Sequence, residues 1–226
     1  FVLPLRELVK EGGLSEEVIN DRVRDILRVK FLIGLFDAPY QTDLAGADRE
    51  VEKAENESLA LQASRESLVF LKNENNVLPL DINNVKKIAV CGPNADEEGY
   101  ALTHYGPLAV EVTTVLEGIR QKSEGKAEVL YTKGCDLVDA NWPESELIDY
   151  PMTDNEQAEI DKAVENARQA DVALVVLGGG QRTCGENKSR SSLELPGRQL
   201  KLLQAVQATG KPVVLVLING RPLSIN

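Results

Sequence analysis

Asp171-Val172-Ala173-Leu174-Val175-Val176-Leu177-Gly178-Gly179-Gly180 decides the fold. The six residues from Val172 to Leu177 are apolar without interruption. That is too short to span a bilayer, and a strand with one wet face would alternate with polar residues. A run of this kind, closed by glycines, is a strand buried on both faces that ends in a sharp turn. Upstream, Lys87-Ile88-Ala89-Val90-Cys91 reads as a second such strand, closed by Gly92-Pro93-Asn94, and Ala127 to Tyr131 as a third. Downstream, Gly210-Lys211-Pro212 breaks a helix, and Val213 to Ile218 is a further apolar strand. Helical spacing fills the gaps: Thr113 to Lys122, a segment opened by Asp154 through Ile160, Ala163 and Ala167, and one opened by Pro196-Gly197 through Leu200, Leu203 and Val206. Doubly apolar strands alternating with helices define an α/β fold, a mostly parallel sheet covered by helices on both faces. Ligands of such folds sit outside the carboxyl ends of the strands. Here those ends are Gly92-Pro93-Asn94 and the stretch from Gly178 onward.

The N-terminal part reads differently. Ser15 is a suitable N-cap, and Glu16 and Glu17 favour the positive end of a helix running to about Leu32 or Ile33. Ile19, Val23, Ile26 and Ile33 form its apolar stripe, and Gly34 ends it. Gln41 to Ala47 is a polar linker, and Asp48 caps a second helix to about Ser64. Ser67 to Lys72 is then expected as a strand, followed by a turn at Asn73-Glu74-Asn75-Asn76. A one-sided stripe like that of the first helix is built to pack inside something larger. Left uncovered, it is expected to find a partner, so self-association through this helix is anticipated.

Composition narrows the function classes. The chain of 226 residues has 25 Lys and Arg against 36 Asp and Glu, a net charge of −11. A nucleic-acid footprint needs clustered positive charge and is excluded. No apolar run is long enough for a membrane span. One His and three Cys without a CxxC pair leave no metal site to assemble. Cys91, Cys135 and Cys184 are expected as free, mostly buried thiols, with a Cys91–Cys135 bridge as the alternative. The chain opens on Phe1-Val2-Leu3-Pro4-Leu5, without an initiator Met or the layout of a signal peptide, and reads as a piece of a longer protein.

The most unusual stretch is Gly178-Gly179-Gly180-Gln181-Arg182-Thr183-Cys184-Gly185-Glu186-Asn187-Lys188-Ser189-Arg190. Its glycines miss both phosphate-loop spacings, and the next helix begins too late to offer its N-terminus to a phosphate. The other functional reading is a loop that presents Glu186. Gly185 leaves room beside it, and Arg182, Lys188 and Arg190 flank it with positive charge. The bland alternative is a solvated charged loop.

Five phrases resemble glycoside hydrolase family 3, the β-glucosidases, β-xylosidases and exo-glucanases. They are Arg24 through Gly34-Leu35-Phe36-Asp37; Lys72-Asn73-Glu74-Asn75-Asn76-Val77-Leu78-Pro79-Leu80; Lys87 through Gly92-Pro93-Asn94-Ala95; Gly185-Glu186 with Arg190 and Leu193-Glu194-Leu195-Pro196-Gly197-Arg198-Gln199; and Lys211 through Leu217 with Asn219-Gly220-Arg221-Pro222. Their order along nearly the whole chain makes the resemblance specific. It implies a (β/α)8-type barrel followed by an α/β sandwich, with residues 1–37 the tail of the barrel domain. Residues 38–54 would be the linker and start of a helix, and 55–226 a sandwich domain cut short at its C-terminal end. It implies a retaining hydrolase that takes β-linked sugars from non-reducing ends. Glu186 matches the acid/base position. The nucleophile belongs to a Ser-Asp-Trp-like phrase of the barrel, which does not occur in this sequence.

Under this resemblance Lys188 and Arg190 position the loop or bind substrate. His104 and Tyr105, on a loop after the Gly92-Pro93-Asn94 strand end, are candidates for a sugar subsite, with a surface turn as the alternative. Trp142 is expected as a loop anchor. No cofactor and no metal are implied. The partners are a β-linked oligosaccharide or glycoside and the barrel domain of the same chain. A periplasmic or secreted location goes with the family. A non-catalytic module binding carbohydrate, nucleotide or effector is the alternative.

Overall fold

Successive residues of the central strands face opposite cores, and that alternation builds the fold of the C-terminal part. The strands are β1 (Lys87–Cys91), β2 (Glu128–Thr132), β3 (Val172–Gly178) and β4 (Val213–Ile218), all parallel in the order β2-β1-β3-β4. Ala89, Cys91, Ala173, Val175 and Leu177 face one core, and Ile88, Val90, Val172, Leu174 and Val176 the other. All seven residues of β3 are buried, whereas those of β4, at the sheet edge, are half-buried throughout. The computed structural model describes residues 2–37, 43–51, 53–99 and 112–225. It divides into two compact units, Phe1–Leu71 and Lys72–Asn226, and the sheet belongs to the second.

The first unit holds α1 (Val2–Lys10), α2 (Glu16–Leu32), α3 (Leu44–Val51) and α4 (Ala54–Glu66). Helix α2 follows Ser15 as expected, and α1, α2 and α4 bury no residue. On the expected stripe of α2, Ile19 is half-buried. Val23, Ile26 and Ile33, by contrast, are 47%, 62% and 69% exposed. The single helix expected from Asp48 is two helices, and the first begins at Leu44, inside the expected linker, so Asp48 lies within it rather than capping it. Lys53 has extended backbone (φ −62°, ψ 130°) and starts α4 afresh.

The strand expected over 67–72 does not form. Leu68, Val69, Phe70 and Leu71 are 79%, 76%, 67% and 74% exposed, and residues 68–72 pair with no strand among the described residues. Apolar composition gives a segment strand propensity, but a ladder needs a free sheet edge in register.

In the second unit α5 (Val115–Ser123) covers one sheet face through Leu116 and Ile119. Helices α6 (Asp154–Gln169) and α7 (Gln199–Gln207) cover the other through Ile160, Ala163, Ala167, Leu202 and Val206. Helices α5 and α6 each begin in a capping box, Thr114 with Glu117 and Thr153 with Glu156, which satisfies two orphan N–H groups at each start. From β1 the chain steps to β2 on one side, then crosses back to β3 on the other. The strand order therefore reverses between β1 and β3, and their carboxyl ends open a crevice there. At one of those ends Gly178 has φ +143°, and a Cβ on it would lie 1.8 Å from the Ile218 carbonyl oxygen. Only glycine fits where β3 leaves the sheet this close to β4.

Candidate active site

The loop leaving β3 is stitched to its surroundings before it reaches Glu186. Gly179 N–H donates to Ile218 O, and Thr183 and Cys184 N–H both donate to Gly180 O at 2.9 Å. The chain then makes a four-residue turn, Gly185 to Lys188, closed by Lys188 N–H to Gly185 O at 3.2 Å. Gly185 (φ +124°) and Asn187 (φ +60°) on either side of Glu186 both take positive φ, which glycine and asparagine tolerate. Glu186 is thus an exposed side chain on a pinned turn, and Lys188, on the same turn, is also exposed.

Arg190 is placed differently. Its side chain is 3% exposed, and Nε donates to Oε1 of Glu146, itself 8% exposed. A second guanidinium nitrogen donates to Glu194 O at 2.9 Å, and the guanidinium carbon lies 5.4 Å from the centre of the Trp142 ring. Ser191 adds its N–H and its hydroxyl to Glu146 Oε2, at 3.0 and 2.9 Å. Arg190 therefore anchors the far end of the loop to the 142–146 insertion, and Trp142 is part of that anchor.

Burial pushes the Glu146 carboxyl up, but the Ser191 N–H, the Arg190 guanidinium and the Ser191 hydroxyl outweigh it and hold the group below the ordinary carboxylate range. A depressed folded-state pKa contributes stability that is complete above the unfolded value and lost as pH falls through the folded one. Glu146→Gln is expected to destabilise the chain at neutral pH by up to about 3–5 kcal/mol, the cost of breaking one side of a buried pair. The difference from wild type should shrink on acidification. Urea midpoints of both proteins at neutral pH and below the carboxylate range test this, and a pH-independent difference would contradict it.

A cleft of about 510 Å³ lies at the crevice between β1 and β3. Pro93 and Asn94 line it from β1, Lys133 to Ala140 include its β2 wall, and Gly179 to Arg182 line it from β3. Asn94 is buried and donates through Nδ2 to Gly179 O at 2.7 Å, joining the β1 and β3 loops. Buried Gln199 does the same from α7. Its Oε1 accepts Gly178 N–H at 2.8 Å, and Nε2 donates to Leu137 O and Gly178 O at 2.9 Å. Arg182 borders the cleft, whereas Glu186 is not among its lining residues.

Cys91 and Cys135 are buried free thiols, and burial pushes Cys91 up to about 12 and Cys135 up as well. Such thiols stay protonated and inert. Cys184 is half-buried and free, also as the sequence led us to expect for a thiol without a bridge.

The structure brings Glu186 and Lys188 together on one turn and sends Arg190 to its anchor. His104 and Tyr105 lie outside the described residues. Sequence reasoning missed Glu146, Asn94, Gln199 and Arg221, each of which holds the loop through partners far along the chain. These partners lie 21 to 85 positions away, and no local spacing signals them.

Residues 68–226 match the Glycosyl hydrolase family 3 C-terminal domain. The chain belongs to glycoside hydrolase family 3. It is 35% identical to a β-xylosidase of Formosa agariphila, over 98% of this chain and 29% of that protein. It is also 35% identical to a periplasmic β-glucosidase of Salmonella typhimurium, over 96% of this chain and 30% of that protein. Among solved structures, a β-glucosidase involved in saponin metabolism from intestinal bacteria superposes with a TM-score of 0.83 at 34% identity, over 97% of this chain and 32% of that one. A β-glucosidase from Erythrobacter marinus gives 0.81 at 35% identity, over 97% and 31%. The chain thus spans less than a third of the length of these relatives.

Proposed function

We propose that this chain is the acid/base-bearing part of a retaining β-glycosidase that removes β-linked glucosyl or xylosyl units from non-reducing ends. The observation that carries the reading is Glu186, exposed on a pinned turn beyond the carboxyl end of β3, within the region that matches the family. Residues 1–37 are read as the tail of a barrel domain, which supplies the nucleophilic carboxylate in the full-length polypeptide. The remainder of that domain would then cover the exposed stripe of α2.

Retention needs two carboxyl groups about 5–5.5 Å apart. In the first step the nucleophile attacks C1 from the face opposite the leaving group, and Glu186 gives its proton to the glycosidic oxygen as the C1–O bond breaks. In the second, Glu186 takes a proton from water as that water displaces the nucleophile from C1. A general acid must be held protonated, which takes desolvation or a neighbouring negative charge. Glu186 is exposed here, so closure of a second wall over the turn would supply both.

Lys188, exposed on the same turn as Glu186, is proposed to bind substrate, and His104 and Tyr105 are proposed for a sugar subsite. No cofactor or metal takes part. A periplasmic or secreted location is proposed, in keeping with the name of the Salmonella relative.

The stereochemistry of hydrolysis tests the reaction class. Full-length protein acting on an aryl β-glucoside and an aryl β-xyloside should release the β-anomer first, followed by mutarotation, as read by proton NMR. Initial release of the α-anomer, or failure to cleave either glycoside, would overturn the proposal.

A further inference from the structure

Arg221 stands three residues beyond β4, on a different element from the loop that carries Glu186, yet it reaches both arms of the Glu186 turn. Its Nη2 donates to Thr183 O at 2.8 Å and to Lys188 O at 3.0 Å. These carbonyls flank Gly185, Glu186 and Asn187, so one nitrogen closes the base of the turn. A guanidinium is suited to this, because each terminal nitrogen carries two N–H groups fixed in one plane.

The surroundings hold Arg221 in turn. Asn219 Nδ2 donates to the Arg221 carbonyl, and Cys184 Sγ donates to Asn219 Oδ1 at 3.3 Å. The guanidinium also lies against the Cys184 sulfur. Burial pushes that thiol up, and the Gly220 N–H, the Thr183 hydroxyl and Arg221 outweigh it and leave it below its ordinary range. The carboxyl end of β4 therefore grips residues 183, 184 and 188. Ser224 N–H, donating to Leu193 O at 2.8 Å, ties the same segment to the loop farther on.

We propose that Arg221 is the positioning residue of the acid/base turn: by tying Thr183 and Lys188 to the end of β4, it sets where the Glu186 carboxyl meets the glycosidic oxygen. This rests on Glu186 being the acid/base. Proton transfer demands hydrogen-bond distance, and a displacement of about 1 Å at a reacting group costs about 10²-fold in rate. Arg221 acts on the backbone of the turn, through the Thr183 and Lys188 carbonyls, so its removal should copy a weakened acid rather than weakened binding.

The experiment compares wild type, Arg221→Met, Arg221→Lys, Glu186→Gln and the Glu186→Gln/Arg221→Met double variant in the full-length polypeptide. Substrates are an alkyl β-glycoside and an aryl β-glycoside with an acidic phenol. Arg221→Met should lose about 10²-fold in kcat on the alkyl glycoside with KM little changed. Formation of the glycosyl-enzyme from the acidic phenol should be nearly unaffected. Arg221→Lys, which keeps a donor but not the planar fork, should recover part of the loss. Adding Arg221→Met to Glu186→Gln should cost nothing further on the alkyl glycoside, because both changes remove the same proton transfer.

If Glu186→Gln shows the leaving-group dependence but Arg221→Met is additive with it, or slows both substrates equally, the positioning role is overturned alone. If Glu186→Gln shows no leaving-group dependence, the acid/base reading falls and this inference with it. Should Arg221→Met not fold, Arg221→Lys carries the comparison, and an Arg221→Lys enzyme as fast as wild type on the alkyl glycoside overturns the role.

Discussion

The 226-residue chain on its own is expected to hydrolyse no aryl β-glucoside or β-xyloside, although it holds Glu186 and the bracing around it. Double displacement needs a nucleophile to form the glycosyl-enzyme and a separate acid/base to protonate the departing oxygen and activate water. No Ser-Asp-Trp-like phrase is present to supply the first. Glu186, proposed for the second role, stands on an exposed turn, whereas general acids work in desolvated sites. The loss is therefore of the whole catalytic cycle rather than of one factor within it. Purified chain and full-length protein compared at equal concentration on a nitrophenyl glycoside decide the matter. Turnover by the chain at even a few per cent of the full-length rate would mean that a complete carboxyl pair lies within these residues, and Glu186 would need a new role.

In the full-length polypeptide, Glu186→Gln is expected to be the most damaging single change among the residues discussed. It keeps the size and most of the hydrogen bonding of the side chain but has no acidic proton to give. General acid catalysis contributes about 10²–10⁴-fold, and the share lost depends on how much the leaving group needs a proton. Natural glycosides depart as poor alkoxides and should show the full effect. Glycosides of acidic phenols leave unaided, so glycosyl-enzyme should still form from them. It should then accumulate, because its hydrolysis needs the same residue as base. Stopped-flow measurement of phenol release should show a burst of one equivalent followed by slow turnover. Equal loss on good and poor leaving groups, without a burst, would remove Glu186 from the site and point to Glu194, an exposed carboxylate farther along the same loop.

The fold was legible because its information is local. The run Val172 to Leu177 is apolar on both faces and became the fully buried central strand β3. The runs at Lys87, Ala127 and Val213 became its parallel partners. The start of α6 was read at Asp154, one residue past its capping Thr153, whereas Ser15, read as a cap, precedes α2 without a side-chain capping bond. The expectation for Ser67 to Lys72 failed for the opposite reason: its apolar residues fit a strand, but a strand exists only where another offers an edge. The break at Lys53 also escaped, because Ala- and Glu-rich sequence reads as helix on both sides of it.

The site was legible in part. Glu186 could be singled out from Gly185 beside it and the charges around it, and from the phrase it shares with family 3. What holds it could not. Arg190 reads as one more cation in a charged loop, yet it pairs with Glu146, 44 positions earlier, because the insertion after β2 folds back beneath the loop. Arg221 reads as part of a strand-end phrase, yet it spans the base of the Glu186 turn. Both contacts depend on strand order, which brings β2 and β4 to opposite sides of the pair β1 and β3. Residue spacing along the chain does not encode that order.

The measurement that tests the central claim most directly is azide rescue of Glu186→Gln in the full-length polypeptide, with an aryl β-glycoside of an acidic phenol. Azide is already a charged nucleophile and needs no base to attack the glycosyl-enzyme. If Glu186 is the acid/base of a retaining reaction, azide should restore steady-state turnover toward the burst rate, and the product should be the β-glycosyl azide by NMR. No acceleration by azide, or an α-glycosyl azide, would contradict the assignment.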